Sequence, residues 1–327
     1  MNIRKVLAKN KFLKSKYHEI MDKKKEKKEK KERKRRITGK YVFVNRSKGK
    51  KKLCIILAGY KEFLWDEVFF RVKKYASDDI DICVLSSGLY SQKLNDICKK
   101  NEWSYLSTKR NHVGLVQNIA INLFKNAELI YKLDEDIFIN KGFFEKLNET
   151  LIDAKKNLNI HVGMVTPLIP VNGYTYIKVL EELNLLNEYE NKFGKTYYDT
   201  TRDNKVISNI DAVKYIWDKT SDLKKINENL LEKPLEYDVC PIRFSIGAIL
   251  FERKLFEDMG YFKVSKTLGL GEDEEDICCY CLNESKAVVA SKNTIVGHLS
   301  FAPTNKDVEK LYKENKILNR LSRSNDE

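Results

Sequence analysis

The sequence predicts an α/β protein with a mostly parallel central sheet flanked by helices, and three observations predict it. Short, nearly all-apolar runs ending at Gly or Ser recur, as expected of strands buried on both faces. Between them lie stretches with helical apolar spacing. The connections are short, so strand and helix alternate as βαβ units with right-handed crossovers. In such a sheet the ligand site lies at the carboxyl ends of the strands.

"LCIILAGY" (Leu53 to Tyr60) is the first buried strand, and "FLWDEVFFRVKKYA" the first helix behind it. "IDICVLSSG", "SQKLNDICKKN", "WSYLST" and "GLVQNIAINLFKNA" continue the alternation, and "ELIYKL" runs as a strand into the acidic cluster Asp134-Glu135-Asp136. "HVGMVTPLIPV" is another strand. Segment 172–236 has helical patches without βα rhythm and reads as an insertion or lid over the site. "FSIGAILFERKLFEDMGYF" restores strand and helix, "LGLGEDEEDICCYCL" follows, and "AVVASKNTIVGHLSF" is the last strand. An amphipathic helix with Val308, Leu311, Leu318 and Leu321 closes the chain. The expected organisation is a basic N-terminal extension at 1–51, a catalytic domain at 52–303 divided at residue 150, and a tail at 304–327.

Charge sharpens this reading. The formal net charge is +14, yet 23 of the 61 Lys and Arg lie in residues 1–52 against only 5 of the 47 acidic residues. The remainder, with 38 basic and 42 acidic residues, carries a net −4. A body of that sign argues against nucleic acid as partner. The extension, with Val6, Leu13, Tyr17 and Ile20 on one side of its first helix and then "DKKKEKKEKKERKRR", reads equally as a solvated charged tail or as a contact with an anionic membrane surface. Seven cysteines at no framework spacing, with neither an apolar leader nor a membrane-length apolar run, imply a reducing, cytoplasmic setting, peripheral to the inner face of the cell membrane if the tail binds lipid.

Alternate residues of a strand share a face, so Asp134 and Asp136 are expected on one side and Glu135 on the other. Two carboxylates at a strand end suit a hard divalent cation, Mn²⁺ or Mg²⁺, held together with substrate phosphates. A second acidic run, Glu272 to Asp276, follows glycines at a loop-to-helix junction. Five carboxylates in a row exceed what a helix N-terminus needs, and their repulsion tunes one toward a base near neutral pH. His298, at the end of a predicted strand, is a candidate ligand.

With these motifs in this order, residues 53–301 resemble the GT-A fold glycosyltransferases, in particular the inverting nucleotide-sugar enzymes of family 2. "NHVGLVQNIAINLFKNAELIYKLDEDIFI" is similar to the family's helix and strand leading into Asp-x-Asp, and "IGAILFERKLFEDMGYF…GEDEEDI" to its Gly-bearing strand and Glu-Asp motif. The resemblance implies transfer of a hexose or N-acetylhexosamine from a nucleotide-sugar, foremost a UDP-sugar, to a glycan or lipid-linked glycan. It makes Asp136 the direct metal ligand and Asp134 the residue facing the ribose or the metal's water shell, with His298 completing the metal set. Asp273 is the implied base and Glu274 the second candidate, the motif fitting either Glu272-Asp273 or Asp273-Glu274. Tyr60, Lys109, Arg110 and Asn118 are the further donor-binding candidates. The family's first-loop motif and base-reading aspartate are replaced here by Ala58-Gly59-Tyr60 and Ser86-Ser87-Gly88. A metal-dependent nuclease or phosphoesterase, or a non-catalytic protein of the same fold, are the alternatives. Cys278, Cys279 and Cys281 lack zinc-ligand spacing and read as inert.

Overall fold

The computed structural model of the chain describes residues 11–220, 222–266 and 269–314. Val6, Leu318 and Leu321 of the expected terminal helices lie outside them, as does the Leu13 side chain. In chain order the strands are β1 (Tyr41–Val44), β2 (Lys52–Leu57), β3 (Ile80–Ser87), β4 (Ser104–Thr108), β5 (Leu129–Asp134), β6 (Ile137–Phe138), β7 (His161–Leu168), β8 (Tyr237–Cys240), β9 (Ala248–Glu252), β10 (Lys286–Ile295) and β11 (Gly297–His298). Among the described residues nine strands form one sheet in the order β1-β4-β3-β2-β5-β9-β7-β10-β8. Strands β2–β5, β7 and β10 run in one direction; β1, β8 and β9 are reversed. The predicted fold class is therefore the observed one.

The helices are α1 (Lys11–Arg36), α2 (Trp65–Tyr75), α3 (Gln92–Lys100), α4 (Val113–Leu123), α5 (Phe143–Asn157), α6 (Thr175–Glu182), α7 (Leu186–Phe193), α8 (Lys205–Ser208), α9 (Ile210–Lys219), α10 (Leu223–Leu231), α11 (Arg253–Asp258), α12 (Glu272–Asn283) and α13 (Asn305–Lys313). α4 is buried from Gly114 through Ile121 because it is packed between β3 and β4 on one side and α12 on the other. Its apolar character all round, rather than on one stripe, is what such a position requires.

Two expectations shift. The folded body does not begin at residue 52: β1 pairs antiparallel with β4, Tyr41 opposite Thr108, and forms a sheet edge. α1 is tied down at its last turn, where Arg36 Nη1 donates to the carbonyls of Gly260 and Tyr261 at 2.9 and 2.6 Å. The charge of residues 1–51 hid both features, since an edge strand buries little and gives a weak apolar signal. Of the described residues of segment 172–236, read from the sequence as an insertion or lid, Asn172 lines the cavity described below. The segment's apolar faces pack beside the sheet. Trp217 Nε1 donates to the Leu299 carbonyl at 3.0 Å, and Asn227 accepts from Ile295 N at 3.1 Å. The insertion therefore braces the chain that carries His298.

That brace matters because the predicted last strand is two. β10 ends at Ile295, and β11 leaves the large sheet to pair with β6, His298 opposite Ile137.

Candidate active site

A cavity of about 660 Å³ opens at the carboxyl ends of β2, β3 and β5, where the topology places a ligand site. Its lining includes Tyr60, Lys61, Lys132, Asp134, Glu135, Asp136, Asp273, Glu274 and His298. Both acidic runs and the late histidine thus meet in one place.

β5 delivers the first run. It ends at Asp134, and Glu135 and Asp136 form the tight turn into β6. Glu135 is wholly engaged in structure: it accepts from the backbone N–H groups of Gly59 at 2.9 Å and Tyr60 at 3.0 Å, and from Trp65 Nε1 at 2.6 Å. This carboxylate fixes the loop after β2. Charge-assisted bonds of this kind are worth about 1.5–3 kcal/mol each.

The other two carboxylates have basic partners supplied by the chain itself. Lys132, two residues before Asp134 and on the same strand face, is buried, lies 2.7 Å from Asp134 Oδ1 and donates to the Ile246 carbonyl at 2.8 Å. Burial pushes the Asp134 carboxyl up to about 6, with Lys132 opposing and Asp136 adding to the rise. Asp136 Oδ2 pairs with Lys61 Nζ and lies 3.6 Å from His298 Nε2. Burial works against the charge of Asp136, but Lys61 and His298 outweigh it and hold the carboxyl well below the usual range. Gly247 allows the next loop to lie close against this floor. A Cβ there would stand 3.0 Å from Ile137 Cδ1, and the Gly247 carbonyl accepts from Asp134 N at 2.9 Å.

His298 is oriented as a ligand would be. Its Nδ1 lies 2.6 Å from the Val171 carbonyl oxygen, which can only accept, so Nδ1 carries a proton, and Nε2 faces Asp136 Oδ2 at 3.6 Å. Among the described residues no three or more His, Cys, Asp or Glu side chains cluster to hold a metal. An imidazole and a carboxylate facing a cavity still fit a divalent cation that takes its remaining ligands from substrate phosphates and water.

Gly271, at φ +76°, turns the chain into α12 and so sets the second run at the cavity rim. Only Asp273 and Glu274 of the five line the cavity. Asp276 accepts from the Lys263 backbone N–H and pairs with its ammonium at 2.7 Å, and Glu272 accepts from Ser265 Oγ at 2.6 Å. Asp273 Oδ2 accepts from Gln117 Nε2 at 2.8 Å, a neutral donor on α4. Glu274 accepts from Arg243 Nε at 2.7 Å; burial raises its carboxyl above the usual glutamate value, and Arg243 reduces the rise.

The donor-binding candidates divide. Tyr60 lines the cavity with its ring largely exposed, and its hydroxyl donates to the Ser87 carbonyl at 2.6 Å. Lys109 and Arg110 do not line it. Arg110 instead donates to the Ser265 carbonyl, and the Lys109 backbone N–H bonds to the Lys40 carbonyl at 2.9 Å, which locks β1 to the sheet. Asn111 and Val113 take the place at the cavity wall. Asn118 is not a donor contact either: it is fully buried, its amide donating to the carbonyls of Arg36 and Phe262 and accepting from Phe262 N. A buried helix position with a bulky neighbour segment leaves its amide no route to the cavity.

Lys61, Lys132, Gln117 and Arg243 were missed by sequence reasoning. The Lys-x-Asp spacing of Lys132 and Asp134 on one strand face was the one available signal. The cysteines are free; Cys278 and Cys281 are buried and Cys279 is exposed.

No family model matches the chain, and no curated protein matches it. Similar solved structures include GalNAc-T7 with UDP, GalNAc and Mn²⁺, at 13% identity and a TM-score of 0.46 over 81% of this chain and 48% of that one. Another is the mannosyltransferase PcManGT from Pyrobaculum calidifontis with GDP-Man and Mn²⁺, at 12% identity and a TM-score of 0.40 over 81% of this chain and 62% of that one. Both likenesses are remote, and the chain spans under two thirds of either neighbour's own length.

Proposed function

We propose that this chain is an inverting GT-A-type glycosyltransferase that moves a hexose or N-acetylhexosamine from a nucleoside-diphosphate donor to a hydroxyl of a glycan or lipid-linked glycan. The observation that carries this reading is the meeting, in one cavity at the strand ends, of Asp134, Asp136 and His298 with Asp273 and Glu274.

Asp136 and His298 would hold Mn²⁺ or Mg²⁺, which supplies neutralisation of the charge growing on the departing diphosphate. Tyr60 offers an exposed ring for a nucleobase beside the Ser87 and Asn111 wall. Asp134, at the end of β5, faces the ribose. Asp273 takes the acceptor hydroxyl proton as that oxygen bonds to the anomeric carbon and the diphosphate leaves from the opposite face. Gln117 orients Asp273 without neutralising it, whereas Arg243 engages Glu274, so Asp273 is the better base and Glu274 the second candidate.

Residues 1–51 would dock the enzyme at an anionic inner-leaflet surface through α1. Among the described residues no helix is long and apolar enough to cross a membrane. Sedimentation with anionic vesicles at low and high salt tests the docking; salt-insensitive or absent binding removes it. For the reaction, a screen of UDP- and GDP-sugars with and without Mn²⁺ should give metal-dependent nucleotide release for one donor, lost in Asp136→Asn. Release unaffected by that substitution would refute the assignment.

A further inference from the structure

Lys61 follows Tyr60 in the loop after β2, and its ammonium pairs with Asp136 Oδ2. That same oxygen lies 3.6 Å from His298 Nε2 and is the atom a divalent cation would share with the imidazole. Two cations cannot occupy one carboxylate oxygen without strong repulsion at such short range. Lys61 therefore stands where a cation held by Asp136 and His298 would sit.

The two lysines of the site differ in their freedom to leave. Lys132 is buried and pinned between Asp134 and the Ile246 carbonyl. The Lys61 side chain is 24% exposed, lines the cavity and rides on a flexible four-carbon stem. A diphosphate entering the cavity brings fresh negative charge within reach of that ammonium and offers it a second partner. The carboxylate it vacates is then open on the side facing His298.

We infer that Lys61 is a built-in counter-ion for Asp136 which exchanges to the donor's diphosphate, so that divalent-cation binding and donor binding are coupled through this one side chain. The inference rests on the transferase reading above. Without donor, Lys61 occupies Asp136 and free cation binds weakly; with donor, Lys61 moves to the phosphates and the cation enters. Lys61 is thus a positioning residue that reports donor occupancy to the metal site. It also keeps the buried Asp136 compensated between turnovers.

The test is Mn²⁺ binding to the full chain by calorimetry or electron paramagnetic resonance, alone and with saturating UDP or GDP. The wild type should bind Mn²⁺ at least about tenfold more weakly alone than with the nucleotide. Lys61→Met should bind Mn²⁺ alone at least about tenfold more tightly than wild type and gain correspondingly less from nucleotide, while Lys61→Arg should restore the wild-type pattern. Free Mn²⁺ binding to Lys61→Met no tighter than to wild type overturns the inference, provided Asp136→Asn shows the ion to be at this site. Mn²⁺ binding that Asp136→Asn does not weaken, or no Mn²⁺ binding under any condition, overturns the metal assignment itself and the inference with it.

Discussion

The two acidic runs look alike as sequence and are used differently. In the run at the end of β5 two of the three cavity-lining carboxylates carry an ammonium, Lys132 on Asp134 and Lys61 on Asp136, and the third, Glu135, is held by backbone and indole N–H groups. In the run that opens α12, Asp273 is held by the neutral amide of Gln117, and its cavity-lining neighbour Glu274 has a cation, Arg243. Asp134 and Asp136 are thus balanced charge for charge, whereas the hydrogen-bond partner of Asp273 is neutral. Other acids of the runs hold structure: Glu135 the loop after β2, Glu272 and Asp276 the segment of Ser265 and Lys263. Neighbouring carboxylates of one run are therefore told apart by the partners the fold gives them, not by their position in the run.

This contrast can be broken at several points. The largest effect is expected from Asp273→Asn, which should lower kcat by 10²–10⁴-fold while leaving donor binding within about twofold, as measured by steady-state kinetics and calorimetry. An equal loss in Glu274→Gln with an active Asp273→Asn would reverse the assignment of the base. Asp136→Asn should cost on the order of 10²–10³-fold in turnover and also weaken Mn²⁺ binding, so that the two runs separate by which observable each moves.

Glu135→Ala should act on stability rather than chemistry. It strips an acceptor from three donors, and the expected loss is about 3 kcal/mol, read from denaturant midpoints at unchanged slope. A change under about 1 kcal/mol would show that Glu135 is not the loop's anchor.

The smallest effect concerns pH. The His112 ring is buried at the start of α4, and its Nε2 accepts from Ser265 N at 3.1 Å. Burial, joined by Arg110, lowers its pKa below the ordinary 6.5, although Glu272 and Asp273 oppose the shift. The unfolded chain then binds a proton that the folded chain does not, so this contribution to stability is fully present above pH 6.5 and is lost as pH falls from there through the folded pKa. His112→Asn should flatten the stability profile in that window, as followed by thermal unfolding between pH 5 and 7.5. A profile of unchanged slope would remove His112 as the cause.

Much of this was legible in the chain. The runs at Leu53, Ile80 and Ile130 are apolar on both faces because their strands are covered on both faces, so the α/β class and the sheet's ligand-bearing end followed from local pattern alone. Asp134, Asp136, Asp273, Glu274 and His298 could be named as candidates because carboxylates at a strand end and at a helix start are conspicuous against their surroundings. Arg110 and Asn118 misled because basic and amide groups near a loop look available until a neighbouring segment claims them. Here Ser265 and Phe262, some 150 residues away, do so. The edge strand β1 was masked by the charge around it, and the insertion's apolar faces did not say whether they covered the site or braced it.

Sequence by itself determined the fold class, the two acidic runs and the separation of a basic extension from a slightly acidic body, since each is a property of neighbours along the chain. Tertiary structure alone decided which acid of each run faces the cavity and which cation it meets. Lys61 reaches Asp136 across 75 residues, and His298 reaches it because β11 leaves the sheet for β6. Charge compensation in a buried site acts through space over a few ångströms, and distance along the chain carries almost no information about it.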